Sequence, residues 1–301
     1  MTEQINKLFC QLDLGEPLAA PRPVSGGYLH MMLRVENARG VFAVKALNPD
    51  IMMRPEALGN MRGGEYAALA FQNVIPLCAA ISGVVEMDGA YFIVYPWVEG
   101  TSVFAPQITA EHCRIMGDVL GCIHRADVHI PGMEPEQKLR QAYDWSLMAD
   151  ERLPRWDVAA LEGLRRLQAV QVISHRDLDP KNVLWQGMEP CIIDWEAAGY
   201  VNPWQELIEL LNYWADDEEK ARAMIAAYGK HMDLRAADWE AALAAGMDGM
   251  LGWLHYNLRR AAGVEGTSPE DKTAGEEHVR NTLRELEQYE GRMAFLRRLL
   301  G

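Results

Sequence analysis

The sequence predicts an α+β protein of two unequal lobes, a small β-rich one followed by a larger, mostly helical one. Three observations carry this. The first hundred residues alternate short apolar runs with Gly-containing turns; beyond Gly100 the apolar spacing changes to that of helices; and three β-like triplets with polar residues between them interrupt the helical part. In order, Tyr28 to Val35 and Val41 to Leu47 read as a hairpin turning between Glu36 and Gly40, and Glu65 to Asn73, rich in Ala and Leu, reads as a helix. Val84-Val85-Glu86 and Ala90 to Tyr95 form a second hairpin about Met87-Asp88-Gly89, and Pro96 to Gly100 breaks the strand. Ala110 to Ala126 places Ile115, Val119, Cys122 and Ile123 on one face behind an N-capping Thr109. The triplets are Val172-Ile173-Ser174, Val183-Leu184-Trp185 and Cys191-Ile192-Ile193; helices are then expected over 204–214, 236–262 and 275–300. We expect a domain of residues 1–98 ending in a hinge and a second of residues 99–301, with the linker near 96–102.

The composition narrows the function. The chain has 301 residues, 49% of them apolar, enough for a substantial core. Its net charge of -14 speaks against nucleic acid or an anionic membrane as partner, since both demand a surplus of Lys and Arg. No apolar stretch approaches the roughly 18 residues of a bilayer span, and the N-terminus lacks a basic segment ahead of an apolar block, so a cytoplasmic protein is expected. The five cysteines, Cys10, Cys78, Cys113, Cys122 and Cys191, are scattered without C-x-x-C spacing and read as reduced thiols, not a disulfide frame or zinc site. His112, His124 and His129 lack metal-ligand spacing and read as structural. Neither G-x-S-x-G nor G-x-x-x-x-G-K-[ST] occurs, which removes support for a hydrolase elbow and a P-loop.

The chemistry concentrates in the run His175-Arg176-Asp177-Leu178-Asp179-Pro180-Lys181-Asn182, followed by Asp194-Trp195-Glu196. Phosphoryl transfer needs a carboxylate to orient a hydroxyl and take its proton, hard oxygen ligands for magnesium, and a lysine for the phosphates that stay behind. Asp177, Asn182 and Asp194 meet the first two needs.

These residues resemble the catalytic loop H-R-D-x-x-x-x-N and metal-binding Asp of the protein-kinase-like fold. Trp195-Glu196 in place of Phe-Gly, with Asn202-Pro203 soon after, are similar to the aminoglycoside phosphotransferase and choline kinase family, over about Gly26 to Trp214 with a family-like helical tail. The resemblance implies a bilobal protein-kinase-like fold, ATP and Mg2+ as cofactors, Asp177 as catalytic base, Asn182 and Asp194 as magnesium ligands, and His175 as scaffold. Phe42-Ala43-Val44-Lys45 resembles the strand that carries the phosphate-binding lysine, so Lys45 would contact the nucleotide and pair with Glu65, or failing that Glu56. Ser25-Gly26-Gly27 stands where a phosphate-covering loop belongs, although no G-x-G occurs in the chain. By the same analogy adenine would bond the Pro96 carbonyl and the Val98 N–H.

The acceptor is expected to be a small molecule. Between Asp194 and Asn202 there is no room for the activation segment that holds a peptide. Asp179 stands where protein kinases keep a lysine, with Lys181 in partial compensation, and Glu196, Glu206 and Glu209 follow among aromatic residues, a pattern suited to a cationic acceptor. An aminoglycoside-like antibiotic or amino sugar is the leading candidate; a choline-like amine alcohol or a metabolite sugar is the alternative, and a non-catalytic nucleotide-binding module the competing class. Arg176, with no activation-loop phosphate to meet, is expected in a local salt bridge.

Overall fold

A computed structural model describes residues 1–24, 29–126, 128–135, 139–266 and 268–300. Its N-terminal part is a five-stranded antiparallel sheet in the order β1-β2-β3-β5-β4, formed by β1 (Arg22–Val24), β2 (Met31–Asn37), β3 (Gly40–Ala46), β4 (Val84–Met87) and β5 (Ala90–Pro96). The two expected hairpins are both present, in register Val35↔Phe42 and Val85↔Phe92. Strand alternation sends Leu33, Val35, Phe42, Val44, Phe92 and Val94 to one face. There α1 (Thr2–Gln11) covers them with Ile5, Leu8 and Phe9, and Phe9 meets Phe42 edge-on at 5.4 Å between centroids. Lys45, one residue after Val44, therefore points to the opposite face. That face looks onto α3 (Ala57–Phe71), which follows the single turn α2 (Pro49–Met52). The helix starts eight residues before the expected start at Glu65.

Beyond β5 the regular structure among the described residues is helical apart from two small antiparallel pairs. Helices α4 (Ala110–Arg125), α5 (Arg152–Leu167), α6 (Pro203–Trp214), α7 (Glu218–Tyr228), α8 (Trp239–Ala245), α9 (Asp248–Ala261) and α10 (Pro269–Leu300) pack about one large apolar core. Thr109 caps α4 in a reciprocal box with His112, the expected cap. Asn202 caps α6, its Oδ1 accepting from Trp204 N at 3.0 Å, with Pro203 in the first helical position; this is the local reason for the Asn-Pro pair. Trp204 is buried, as its place on the apolar face implies. The helix expected over 236–262 is two helices, α8 and α9, parted at Gly246 and Met247.

The β-like triplets form β6 (Val172–Ser174), β7 (Val183–Gln186) and β8 (Glu189–Ile192); β6 pairs with β9 (Gly199–Val201), and β7 with β8 in register Val183↔Ile192. This pairing brings the residue-175 loop beside the end of β8. No helix among the described residues is long and apolar enough to cross a membrane.

Candidate active site

The loop after β6 is built to hold one carboxylate still. Asn182 Nδ2 donates to Asp177 Oδ2 at 2.9 Å and to the Asp177 carbonyl at 2.8 Å. Both amide hydrogens are thereby engaged, so Asn182 Oδ1 is the atom left to accept a cation. His175 is fully buried. Its Nδ1 accepts from Asp177 N at 3.2 Å, so its Nε2–H donates to the Ile193 carbonyl at 3.0 Å. Burial holds this ring's pKa below the ordinary histidine value, consistent with a neutral scaffold role. Ile193 N in turn donates to the Asn182 carbonyl at 3.0 Å. The loop and the strand ahead of Asp194 are thus laced together, and Asp194 itself takes a left-handed backbone (φ 64°) that turns the chain out of β8.

Asp194 meets the N-terminal lobe through Lys45, whose Nζ lies 2.8 Å from Asp194 Oδ1 and also bonds Glu196. Burial would lower the pKa of the Lys45 ammonium, but the two carboxylates outweigh it and the net shift is upward. The expected Lys45–Glu65 pair is not made. Glu65 lies in the middle of α3 and accepts from the Tyr95 hydroxyl at 2.5 Å; its other oxygen is buried without a partner, and burial raises its pKa. Glu56 is exposed at the start of α3 and is no substitute.

Glu196 was expected beside the acceptor. Instead it joins the lobes, bonding Lys45 and lying 3.3 Å from His30 Nε2, while His30 Nδ1 accepts from Asn48 N at 3.0 Å. Burial alone would raise the Glu196 pKa; His30 and Lys45 prevail and hold it at about 2. Trp195, nearly fully buried, stacks on Phe71 of α3 at 5.4 Å and meets His175 edge-on at 4.7 Å. The close approach needs Gly64, because a Cβ there would collide with the Trp195 carbonyl.

Glu206 is a second correction. It is buried on α6: Oε2 meets His124 Nε2 at 2.8 Å and Oε1 accepts from Arg176 N at 2.8 Å. Tyr228 completes the set from the other side of His124 at 2.9 Å. This explains why Arg176 can hold a positive φ of 65°. Arg176 has no carboxylate within ion-pair distance among the described residues and lies against Gly199, so the expected salt bridge is absent. Glu206→Ala should leave His124 Nε2 and the Arg176 N–H without a partner. Breaking a buried pair in this way costs on the order of 3–5 kcal/mol, and the expected result is a melting temperature lower by roughly 10 °C in a thermal denaturation scan.

Asp179 caps the short turn at 180–182 through Lys181 N at 2.9 Å, and Lys181 Nζ lies 3.2 Å from Asp177 Oδ2. Lys181 thus compensates Asp179 directly at the candidate base. Burial lowers its pKa, but Asp177 and Asp179 raise it more. Glu209, one turn along α6 from Gln205 and bonded to it at 3.0 Å, is partly exposed yet crowded by protein, which pushes its carboxyl up to about 8. Burial of its hydroxyl, and then the charges of Glu209, Asp177 and Asp179, raise the pKa of Tyr213. At the hinge, the Pro96 carbonyl takes only a weak bond from the Cys78 thiol at 3.6 Å, and the Val98 N–H has no partner among the described residues. Ser25, Gly26 and Gly27 lie outside the described residues. Two surface cavities, of about 370 and 550 Å³, lie away from this cleft, so the site is identified by its chemistry and not by concavity.

A family model described as APH, phosphotransferase enzyme family, matches residues 21–260. The chain belongs to that family. It is a phosphotransferase of the small-molecule kinase type, with the kinase-like fold expected. A spectinomycin phosphotransferase solved in complex with ADP and spectinomycin superimposes with a TM-score of 0.69, at 12% identity over 93% of this chain and 94% of that one. A Plasmodium vivax ethanolamine kinase gives 0.64, at 12% identity over 91% and 85%. A choline/ethanolamine kinase family protein from Mesorhizobium loti gives 0.63, at 14% identity over 97% and 98%. At such identities the likeness concerns the fold alone. No curated protein matches the chain in sequence.

Of the residues that matter here, the sequence did not point to His30 or Tyr95; His124 is structural as expected, but its partner Glu206 was not foreseen. His30 sits in an apolar run beside an unremarkable turn, and His124 on an ordinary helix; only tertiary packing brings either to a carboxylate.

Proposed function

We propose that this phosphotransferase moves the γ-phosphate of ATP to a hydroxyl of a cationic small molecule, an amino sugar or aminoglycoside-like compound, with Mg2+ as cofactor. The observation that carries the reading is the Asp177 carboxylate, held by Asn182 at Oδ2 and flanked by Lys181 at 3.2 Å from Oδ2 and 3.3 Å from Oδ1, with the charges of Asp179 and Glu209 reaching the same Tyr213 that Asp177 acts on. The donors fit magnesium: Asn182 Oδ1 and Asp194 are hard oxygens at the cleft floor. Bound there, the ion would supply neutralisation of phosphate charge. Lys45 would leave Asp194 to hold the non-transferred phosphates, its ammonium still bonded to Glu196, which His30 holds in turn. The Pro96 carbonyl and Val98 N–H would bond adenine, and residues 25–27 would cover the phosphates. Asp177 would orient the acceptor hydroxyl in line and take its proton, positioning being the larger share of the effect. Glu65, turned to Tyr95, would take no direct part. We place the boundary between the nucleotide-binding domain and the acceptor-binding domain at residues 98 and 99, and the protein in the cytoplasm.

The ethanolamine kinase fold match supports an amine alcohol as the second acceptor class. ATP consumption across a panel of amino sugars, amine alcohols and pentoses tests the assignment. Turnover confined to amine-bearing acceptors supports it. A thermal shift with magnesium-ATP and no turnover on any acceptor would instead indicate a nucleotide-binding module.

Glu209 gives the acceptor site a pH signature. Its carboxyl, with a pKa of about 8 in the free enzyme, carries a proton at pH 7 that a bound cation must expel. The Michaelis constant for a permanently charged acceptor should therefore fall as pH rises from 7 to 9. Glu209→Gln should flatten that profile. An unchanged slope in the variant would remove Glu209 from the acceptor site.

A further inference from the structure

Far from the cleft, three side chains of different chemistry meet where α4 packs on the chain leaving α7. Asp118 and Cys122 are four residues apart and so share one face of α4. His231 comes from the turn after α7, its backbone N bonded to the Tyr228 carbonyl at 3.0 Å. The helix surface is cut away to receive it: a Cβ on Gly121 would stand 2.6 Å from His231 Cδ2, so any larger residue would push the ring off. In this notch His231 Nε2 lies 2.8 Å from Asp118 Oδ1 and 3.9 Å from Cys122 Sγ, and the three donor atoms all fall within 4.8 Å of one another.

We propose that Asp118, Cys122 and His231 form a site for one thiophilic divalent cation, of which Zn2+ is the type. Zinc bonds of about 2.3 Å to sulfur and 2.0–2.1 Å to nitrogen or oxygen set tetrahedral ligand pairs at about 3.5 Å for S···N and about 3.3 Å for N···O. The two measured separations differ from these by about half an ångström, within the reach of side-chain rotation. A mixed S, N, O set suits zinc and rejects magnesium and calcium, which take oxygen alone. Asp118 is half-exposed, leaving the fourth position to water. On binding, the Cys122 thiol gives its proton to solvent, His231 coordinates through the Nε2 lone pair with its hydrogen on Nδ1, and Asp118 exchanges its bond to the ring for one to the metal. Two anionic ligands and a neutral one make the bound centre neutral overall, so the ion does not leave excess charge in the interface. Spacing along the sequence hides the site, because His231 is 109 residues from Cys122. The scattered cysteines that argued against zinc conceal one that folding places beside a histidine.

The test uses the full chain with Cys10, an exposed thiol, replaced by serine, and excess magnesium present to occupy oxygen-only sites. Cobalt(II) is the probe. The expected result is a thiolate-to-cobalt charge-transfer band that saturates at one equivalent, disappears on adding Zn2+, and is accompanied by a higher melting temperature with either metal. Cys122→Ser should abolish the band. His231→Gln, which leaves the thiol in place, should weaken affinity by at least the roughly 10–100-fold that even outer-sphere changes cost. Absence of the band in the unmodified triad, or its survival in Cys122→Ser, overturns the proposal. Should Cys122→Ser unfold, unaltered cobalt affinity in His231→Gln overturns it equally.

Discussion

Asp177→Asn should reduce phosphoryl transfer by about 10²–10⁴-fold while leaving nucleotide affinity nearly unchanged. The substitution keeps the shape of the side chain, so the bond from Asn182 to the residue-177 position can persist, whereas the acceptor for the hydroxyl proton is gone. Asp177 also carries none of the Lys45 contacts that would anchor phosphate. Single-turnover kinetics with saturating ATP separate the two effects. Turnover at the unmodified rate would refute the assignment of the base, and a large loss of ATP affinity would move Asp177 from the acceptor side to the nucleotide side.

Asp194→Ala should act in the opposite sense, on binding before chemistry. Its carboxylate is the hardest anionic ligand at the cleft floor and also neutralises Lys45. Removal should weaken magnesium-nucleotide affinity by at least about tenfold, matching the 1.4 kcal/mol of one lost charge-assisted bond. Asn182→Ala should do the same less strongly and also free Asp177. Calorimetric titration with ATP in the presence and absence of magnesium reads both. Affinity that is unchanged in each variant would withdraw the ligand roles.

The elements that the sequence made legible are those whose signal is local. Hairpins announced by Gly turns, a Thr-capped amphipathic helix and polar residues between β-like triplets are short-range features, and all are present. The meeting of Asp177 with Asn182 was equally legible, because the two lie only five positions apart and the turn between them fixes it. What failed was long-range. Lys45 had a choice of buried carboxylates, and which one it meets depends on how α3 sits against Trp195, a matter of Gly64 and not of charge spacing. Glu206 looked like a free acid among aromatics, but its place on α6 turns it inward to His124, 82 residues away. The helix α1 was missed although Ile5, Leu8 and Phe9 carry helical spacing; the segment is short, and its stability comes from the sheet it covers.

The indole of Trp195 has a consequence for control. Wedged between Phe71 and His175, it ties the chain carrying Asp194 to helix α3. Indole burial of the order of 150–250 Å² corresponds to about 4–6 kcal/mol that would be lost if the helix swung outward. Enzymes that are silenced by displacing such a helix need it to be loosely attached. Here a buried aromatic stack backs the attachment, so any outward swing of α3 would first have to part Trp195 from Phe71.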